Sequence, residues 1–370
     1  MLQVRNLLAG TGRRMRILGR VGAALVAPAA LAFTPSQHFS ATGAEQSATS
    51  APTPAQFAPF GLDEAPHAAY PTATRLRDGT VRMVWRQGTA GVSDDGRLYT
   101  AIGNPATGEW SSPPILVQVD IGPDIRDPHL SSIGDDVWLT YFVSSTNGIP
   151  AGARAARSTD GGATFGPSVR IDPNLPYAAI SSPIVQVGGK LMTAFYARKA
   201  GEVVNTAWAA WSTDNGQTWA SNRIANEIDT KTPYSEPWVV TNGTTAVYLF
   251  RDGDWNAIAT RSTSDGGVTW SSVRRSVITH ATGNSASVWA SNGRIYTVYR
   301  HTVTRAAMLA SSTDAGKTFI VERVLMPASS STSSVGMTYA HPVELDAGNI
   351  WCPLGMERSD GSGRLYLGYL

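Results

Sequence analysis

The chain has 370 residues, of which 42% are hydrophobic and only 16% charged, a balance that supports a sizeable core and excludes wholesale disorder. Its 36 Gly and 22 Pro stand beside 11 Trp and 12 Tyr, which favours many short strands over long helices. The formal net charge is only +2, too small on its own to indicate a nucleic-acid partner.

The first twenty residues carry Arg5, Arg13, Arg14, Arg16 and Arg20 and no acid. An apolar run from Val21 to Phe33 follows, and then Ala/Ser/Thr/Pro-rich sequence. This order predicts a cleaved export signal over 1–32 and a flexible linker over 33–58. The apolar run is too short to span a bilayer comfortably, so no stable membrane anchor is expected. Loss of the five leader arginines takes the net charge from +2 to −3, so the basic balance belongs to the leader. The expected location is secreted, either extracellular or periplasmic. Cys352 is the only cysteine, so no intrachain disulfide can form. It lies in Ile350–Leu354, which reads as a buried strand, and a packed, inert thiol is expected there.

From residue 59 to the end the sequence repeats. Ser158-Thr-Asp160-Gly-Gly162-Ala-Thr164-Phe165 has the form S-x-D-x-G-x-T-[WF], and it recurs at Ser212–Trp219, Thr263–Trp270 and Ser312–Phe319. A worn copy ends at Trp110. The four aspartates, Asp160, Asp214, Asp265 and Asp314, are 54, 51 and 49 residues apart. In each box the Asp is placed to accept bonds from turn backbone, the Gly permits positive φ, and the Trp or Phe packs between sheets. Between the boxes runs a second repeat: a polar or Pro-containing start, an apolar strand, a Gly turn and another strand. The starts are Tyr70-Pro71, Asp127-Pro128, Ser182-Pro183, Glu236-Pro237, Ala286-Ser287 and His341-Pro342. Six units of about 50 residues predict an all-β, six-bladed β-propeller over 59–370, with four-stranded antiparallel blades and box hairpins. The last unit is one strand short, and residues near 56–66 are expected to supply it.

Blade geometry gathers the starts of the first strands, the ends of the second strands and the loops after them at one mouth. Tyr70, Arg126, Asp127, Glu236 and Tyr339 come from the starts. Arg86, Arg198, Arg251, Arg300 and Glu357 come from the ends, and Asp94 and Asp95 from the first loop. Arginines with a few carboxylates and tyrosines on one face suit an anionic small ligand.

With these boxes the chain resembles the sialidase (neuraminidase) superfamily, whose Asp-box or BNR repeat has this form. The resemblance covers nearly all of 65–370. Tyr234-Ser-Glu236-Pro-Trp-Val-Val, with Arg251 15 residues after the Glu, is similar to that family's glutamate strand and a triad arginine. Arg305, seven residues before Ser312, is placed like the later triad arginine. Tyr339-Ala-His-Pro-Val-Glu-Leu-Asp-Ala-Gly348 has the shape of the nucleophile segment. The resemblance implies Tyr339 as nucleophile, Glu236 as its base, Asp94 or Asp95 as acid/base, and Arg251 and Arg305 as carboxylate binders. It also implies Asp127 as a substrate contact and Glu357 as an acid that steadies an arginine. One position departs from the pattern: Ala69 stands where the family keeps its first arginine. Either Arg86 or Arg126 fills that gap, or the substrate lacks the sialic-acid carboxylate.

The implied activity is a secreted retaining glycosidase that releases terminal sialic acid or a related acidic sugar, with a Tyr nucleophile and no metal or cofactor. Its expected partner is a glycan or glycoconjugate, and the body is expected to be a monomer. Two other readings stand beside it. One is a propeller hydrolase or lyase acting on arabinan or a uronic-acid polymer, in which His129 or His67 serves a lyase. The other is a non-catalytic carbohydrate-binding propeller.

Overall fold

The computed structural model describes residues 57–63, 66–120, 122–146, 148–225, 233–328 and 336–370. The predicted leader, and the linker up to residue 56, lie outside the described residues. Every regular element among the described residues is a β-strand.

Strand pairing falls into six successive antiparallel sets among the described residues. The fourth is the plainest: Tyr234–Thr241, Ala246–Asp252, Ala257–Thr263 and Arg274–Thr279 pair in chain order. The fifth repeats it with Ala281–Trp289, Ile295–His301, Ala307–Ser312 and Ile320–Met326. The first set begins His67–Arg75, Val81–Gly88 and Arg97–Asn104, and the second Asp124–Ile133, Asp136–Ser144 and Pro150–Ser158. In the third, Tyr177–Ile180 and Val185–Val187 share the inner position beside Lys190–Arg198. In the sixth, Gly336–Ala340 and Val343–Asp346 do the same beside Asn349–Glu357.

The sixth set draws its outer strand from the other end of the chain. Gly363–Tyr369 pairs with Ala58–Pro59, through Leu367 with Ala58 and Tyr366 with Pro59. Phe57 packs against the core cluster that holds Trp238, Leu354 and Met356. Phe57 and Ala58, which the sequence reading assigns to the linker, are therefore part of the folded body.

The boxes close the outer hairpins as their residue types dictate. Asp160 accepts from the Thr164 amide at 2.9 Å and the Thr164 hydroxyl at 2.6 Å, and Ser158 Oγ accepts from the Gly162 amide at 2.8 Å. These donors, led by the hydroxyls of Ser158 and Thr164, hold the Asp160 carboxyl down at about 2. The aspartates thus serve their own turns. Each box also reaches the preceding set. Arg82 Nε donates to the Gly161 carbonyl at 3.0 Å, Lys190 Nζ to that of Gly266 at 3.2 Å, and Thr260 Oγ1 to that of Gly316 at 2.8 Å. Gly216, at φ 80°, lies so close to Trp138 that an added Cβ would stand 2.3 Å from its ring. A side chain is excluded there both by conformation and by space.

Gly216→Ala should therefore lower stability by about 2–4 kcal/mol, left-handed strain and overpacking together. Gly188→Ala, at φ 54° with open space around it, should cost only about 1–2 kcal/mol of strain. Urea unfolding midpoints of the two variants check this. Equal shifts would show that the box glycine does not register the neighbouring sheet.

Candidate active site

All six inner strands break their pairing at one height. The register shifts between Ala69 and Thr72, Arg126 and His129, Ser235 and Trp238, Thr282 and Ala286, and Met337 and Ala340. The third inner strand is interrupted between Ile180 and Val185. A bulge frees its extra residues from the ladder and re-aims their side chains. Tyr70, Asp127 and Glu236 sit in three of these bulges with φ of 55°, 49° and 49°, each directly before a proline. Left-handed backbone costs a non-glycine residue about 1–2 kcal/mol, and the bulge register holds it there.

These residues meet around one cavity of about 290 Å³. Its acids are Asp127, Glu236 and Glu357, and its bases are Arg126 and Arg300. Tyr70, Tyr177, Tyr196 and Tyr339 supply the aromatic wall with Phe142. The Tyr339 hydroxyl donates to Glu236 Oε1 at 2.9 Å, joining inner strands 103 residues apart in sequence. Glu236 Oε2 accepts from Arg251 Nη1 at 3.4 Å. Burial, reinforced by Glu236, Asp127, Tyr196 and Tyr70, pushes the Tyr339 phenol well above its ordinary range. The resting group is a neutral phenol whose proton already points at a carboxylate.

Three arginines share one ladder position, opposite the residue just before a bulge: Arg86 faces Ala69, Arg251 faces Ser235 and Arg300 faces Thr282. Their fates differ. Arg86 is fully buried and spends its guanidinium on Asp124 Oδ1 at 2.7 Å, the Ala90 carbonyl at 2.8 Å and Ser93 Oγ at 2.9 Å. It does not line the cavity. Arg300 does, with Nη1 on the Met337 carbonyl at 2.9 Å and a buried Nε that has no partner among the described residues. Its pKa is lowered by burial first and then by the charge of Arg305, while Glu236 and Tyr339 oppose the shift. Arg305, at φ 60°, accepts the Met337 amide on its carbonyl at 3.4 Å. Arg251, Arg300 and Arg305 thus form one positive group beside Tyr339 and Glu236.

Arg126 lies 5.5 Å from the ring centroids of both Tyr70 and Phe142 and donates to the Tyr70 hydroxyl at 3.1 Å. The Tyr70 ring stands 5.2 Å from that of Tyr339. Ala69 is completely buried beside it. Glu357 is held below the usual carboxylate range by His67, whose Nε2 is 3.9 Å away, and by Arg300 and Arg305.

The loop after the first hairpin places Asp94 and Asp95 on its exposed side, outside the cavity lining. Asp95 accepts from Ser93 Oγ at 2.5 Å and from the Thr89 amide at 3.1 Å. These bonds lower its pKa, the Ser93 hydroxyl most of all. Asp127 is the opposite case. It is 3% exposed, and its Oδ1 has no hydrogen-bond partner among the described residues. Burial raises its pKa to about 7, helped by Glu236 and Asp124 and opposed by Arg126 and Arg86.

Neither histidine of the lyase reading lines the cavity. His67 is fully buried behind Glu357. His129 packs edge-on to Trp238 at 5.1 Å and lies 6.1 Å from His341, and burial pushes its pKa well down. Among the cavity residues without an assigned role in the sequence reading are Tyr70, Arg300, Tyr177, Tyr196 and Phe142. Arg300 had a signal: Trp85-Arg86, Phe250-Arg251 and Tyr299-Arg300 are the same aromatic-arginine pair at the end of a second strand. Tyr177 had none, because its place beside Tyr196 and under Arg198 depends on the interrupted third inner strand.

The fold and its boxes define an all-β, Asp-box propeller with a carboxylate–tyrosine pair at one mouth. The chain belongs to the family of BNR repeat-like domains, whose profile matches residues 79–352. Among solved structures it is similar to a protein of unknown function from Dyadobacter fermentans, with a TM-score of 0.69 and 16% identity over 82% of this chain and 94% of that one. A Hadza microbial sialidase matches at 0.66 and 16%, over 85% of this chain and 68% of that one. A Penicillium chrysogenum alpha-L-arabinanase complexed with arabinobiose matches at 0.62 and 15%, over 86% and 98%. No curated protein matches the sequence.

The raised pKa of Asp127 has a sign. The folded state binds this proton more tightly than the unfolded chain between the ordinary value of 3.8 and about 7. The contribution of this group to stability is therefore full below that window and lost as pH rises through it. Asp127→Asn should gain stability relative to wild type from about pH 4 to about pH 8. Paired thermal melts across that range check this, and a constant difference would contradict it.

Proposed function

We propose that this chain is an exported glycoside hydrolase of sialidase type that releases terminal sialic acid or a related acidic sugar with retention. The observation that carries the reading is the 2.9 Å hydrogen bond from the Tyr339 hydroxyl to Glu236, inside a cavity with arginines beside it. A carboxylate on the anomeric carbon would repel an anionic nucleophile. A neutral phenol avoids that repulsion, provided a base takes its proton as it attacks. In the proposed first step Tyr339 Oη bonds to the anomeric carbon and its proton passes to Glu236. The glycosidic C–O bond breaks, and its electron pair leaves with the aglycone oxygen, which takes a proton from an acid of the site. Arg300, with Arg251 and Arg305 close by, offsets the negative charge of a bound carboxylate. The arginine-rich leader and the short apolar run support export.

A second reading is favoured by one position. Ala69 is buried where an arginine is expected, and Arg86, the nearest replacement, is committed to Asp124. With two bases among three acids, the cavity also suits a neutral sugar such as an arabinoside. The similarity to an arabinan-acting propeller agrees with that substrate.

Purified protein assayed on a fluorogenic α-sialoside, with α-L-arabinofuranosides and uronosides alongside, tests both readings. Under the sialidase reading the sialoside is turned over. Glu236→Gln then loses about 10²–10⁴-fold in kcat, and Tyr339→Phe at least as much. Turnover undiminished in Tyr339→Phe would reject the mechanism. Turnover of the arabinoside alone would select the second reading, and inert wild type on the whole panel would reject both.

A further inference from the structure

We infer that Asp127, rather than either aspartate of the first loop, is the group that protonates the leaving oxygen and later activates water. This rests on the reading of Tyr339 and Glu236 as the nucleophile pair and adds the acid/base partner which that pair needs.

The argument starts from what each carboxylate is already doing. Glu236 is engaged on both oxygens, by Tyr339 and by Arg251. Glu357 faces His67. Asp95 is anchored by Ser93 and Thr89 and points into its own turn, while Asp94 is exposed and absent from the cavity wall. Asp127 alone among the acids of the cavity has a buried oxygen with no partner among the described residues. A buried polar atom left unpaired costs free energy, and one held so by a left-handed bulge residue before a proline marks a position that a ligand is meant to complete.

The surroundings suit a carboxyl that keeps its proton until a substrate arrives. Asp127 faces Tyr70 on the first inner strand, Tyr196 of the third set, Glu236 on the fourth and Tyr339 on the sixth. Asp124 and Arg126 on its own strand and Arg86 of the first set complete the charged neighbours. Two negative carboxylates and burial outweigh the two cations, which places its pKa at about 7. Asp95 is shifted the other way, by the Ser93 hydroxyl and the Thr89 amide that bond its ionised form.

The two steps then balance. In the first, Asp127 gives its proton to the departing oxygen as the glycosidic bond breaks. In the second, its carboxylate takes a proton from water as the water oxygen bonds to the anomeric carbon. The Tyr339–carbon bond breaks, and Tyr339 recovers its proton from Glu236.

The test compares leaving groups. An aryl glycoside, 4-methylumbelliferyl α-sialoside, needs little protonation, whereas 3′-sialyllactose needs it fully; aryl and alkyl α-L-arabinofuranosides form the parallel pair. Asp127→Asn should lose about 10²–10⁴-fold on the unactivated member of a pair and about tenfold or less on the aryl member. It should also lose the high-pH limb of the kcat/KM profile. Circular dichroism confirms that the variant is folded. A second measurement needs no turnover: wild type should show an infrared carboxylic-acid band near neutral pH that Asp127→Asn lacks. Equal losses on both members of a pair, the selective loss appearing in Asp94→Asn or Asp95→Asn instead, or absence of the band would each overturn the assignment while leaving the Tyr339 reading intact. Wild type inert on both pairs would overturn the two together, and that outcome is seen before any variant is compared.

Discussion

The contact on which the rest of the molecule depends is the one between each Asp box and the sheet before it. Each antiparallel set has two faces to cover, and its neighbours cover them: in the fourth, Trp238 and Val247 pack with the fifth set while Val239 and Tyr248 pack with the third. The box glycines of the third and fifth sets abut Trp138 and Val247 of the sets before them, and the carbonyls of Gly161, Gly266 and Gly316 bind Arg82, Lys190 and Thr260 across the same seams. Those seams lie at the far end of the strands from the cavity. They fix the height of each set against the next, and the height of the bulges follows from it. Hydrogen-bond geometry between Tyr339 and Glu236, on different inner strands, is meaningful only because that height is set elsewhere.

The cavity is built by the same economy. One irregularity, repeated around the inner strands, takes one or two residues per strand out of the ladder. What occupies the irregularity then decides the chemistry. Where it is Tyr70, Asp127, Glu236 or Tyr339, a polar side chain enters the cavity. In the fifth set Gly283 takes the left-handed conformation without a side chain, and Arg300 on the adjacent strand lines the wall instead. Residue type and bulge position together distribute acids, phenols and guanidiniums that are far apart in the chain.

Much of this was legible in the sequence. The boxes disclosed the repeat because each is a local device: its Ser, Asp, Gly and Thr bond to one another within seven residues, and nothing distant is needed to read them. Tyr70, Asp127 and Glu236 could be placed at the mouth because each directly precedes a proline in a strand start. What could not be read was the choice of partner across sets. Arg86 and Arg300 occupy the same ladder position, yet Arg86 meets Asp124, 38 residues away, and is consumed, while Arg300 meets a backbone carbonyl and keeps an Nε with no partner among the described residues. Asp95 and Asp127 look alike as letters. The first sits among hydroxyl and amide donors, and the second is buried beside another carboxylate.

The pairing of Ala58–Pro59 with Tyr366 and Leu367 ties together segments about 300 residues apart in the chain. In most domains the termini are trimmings. Here the ring of Tyr70, eleven residues past the closing strand, stands tilted against that of Tyr339, 31 residues before the last residue. Two strands far apart in the chain thus share one cavity wall. Gly363–Tyr369, paired with Ala58–Pro59 and bridged to His67, is the strand that ties the wall carrying Tyr70 to the wall carrying Tyr339.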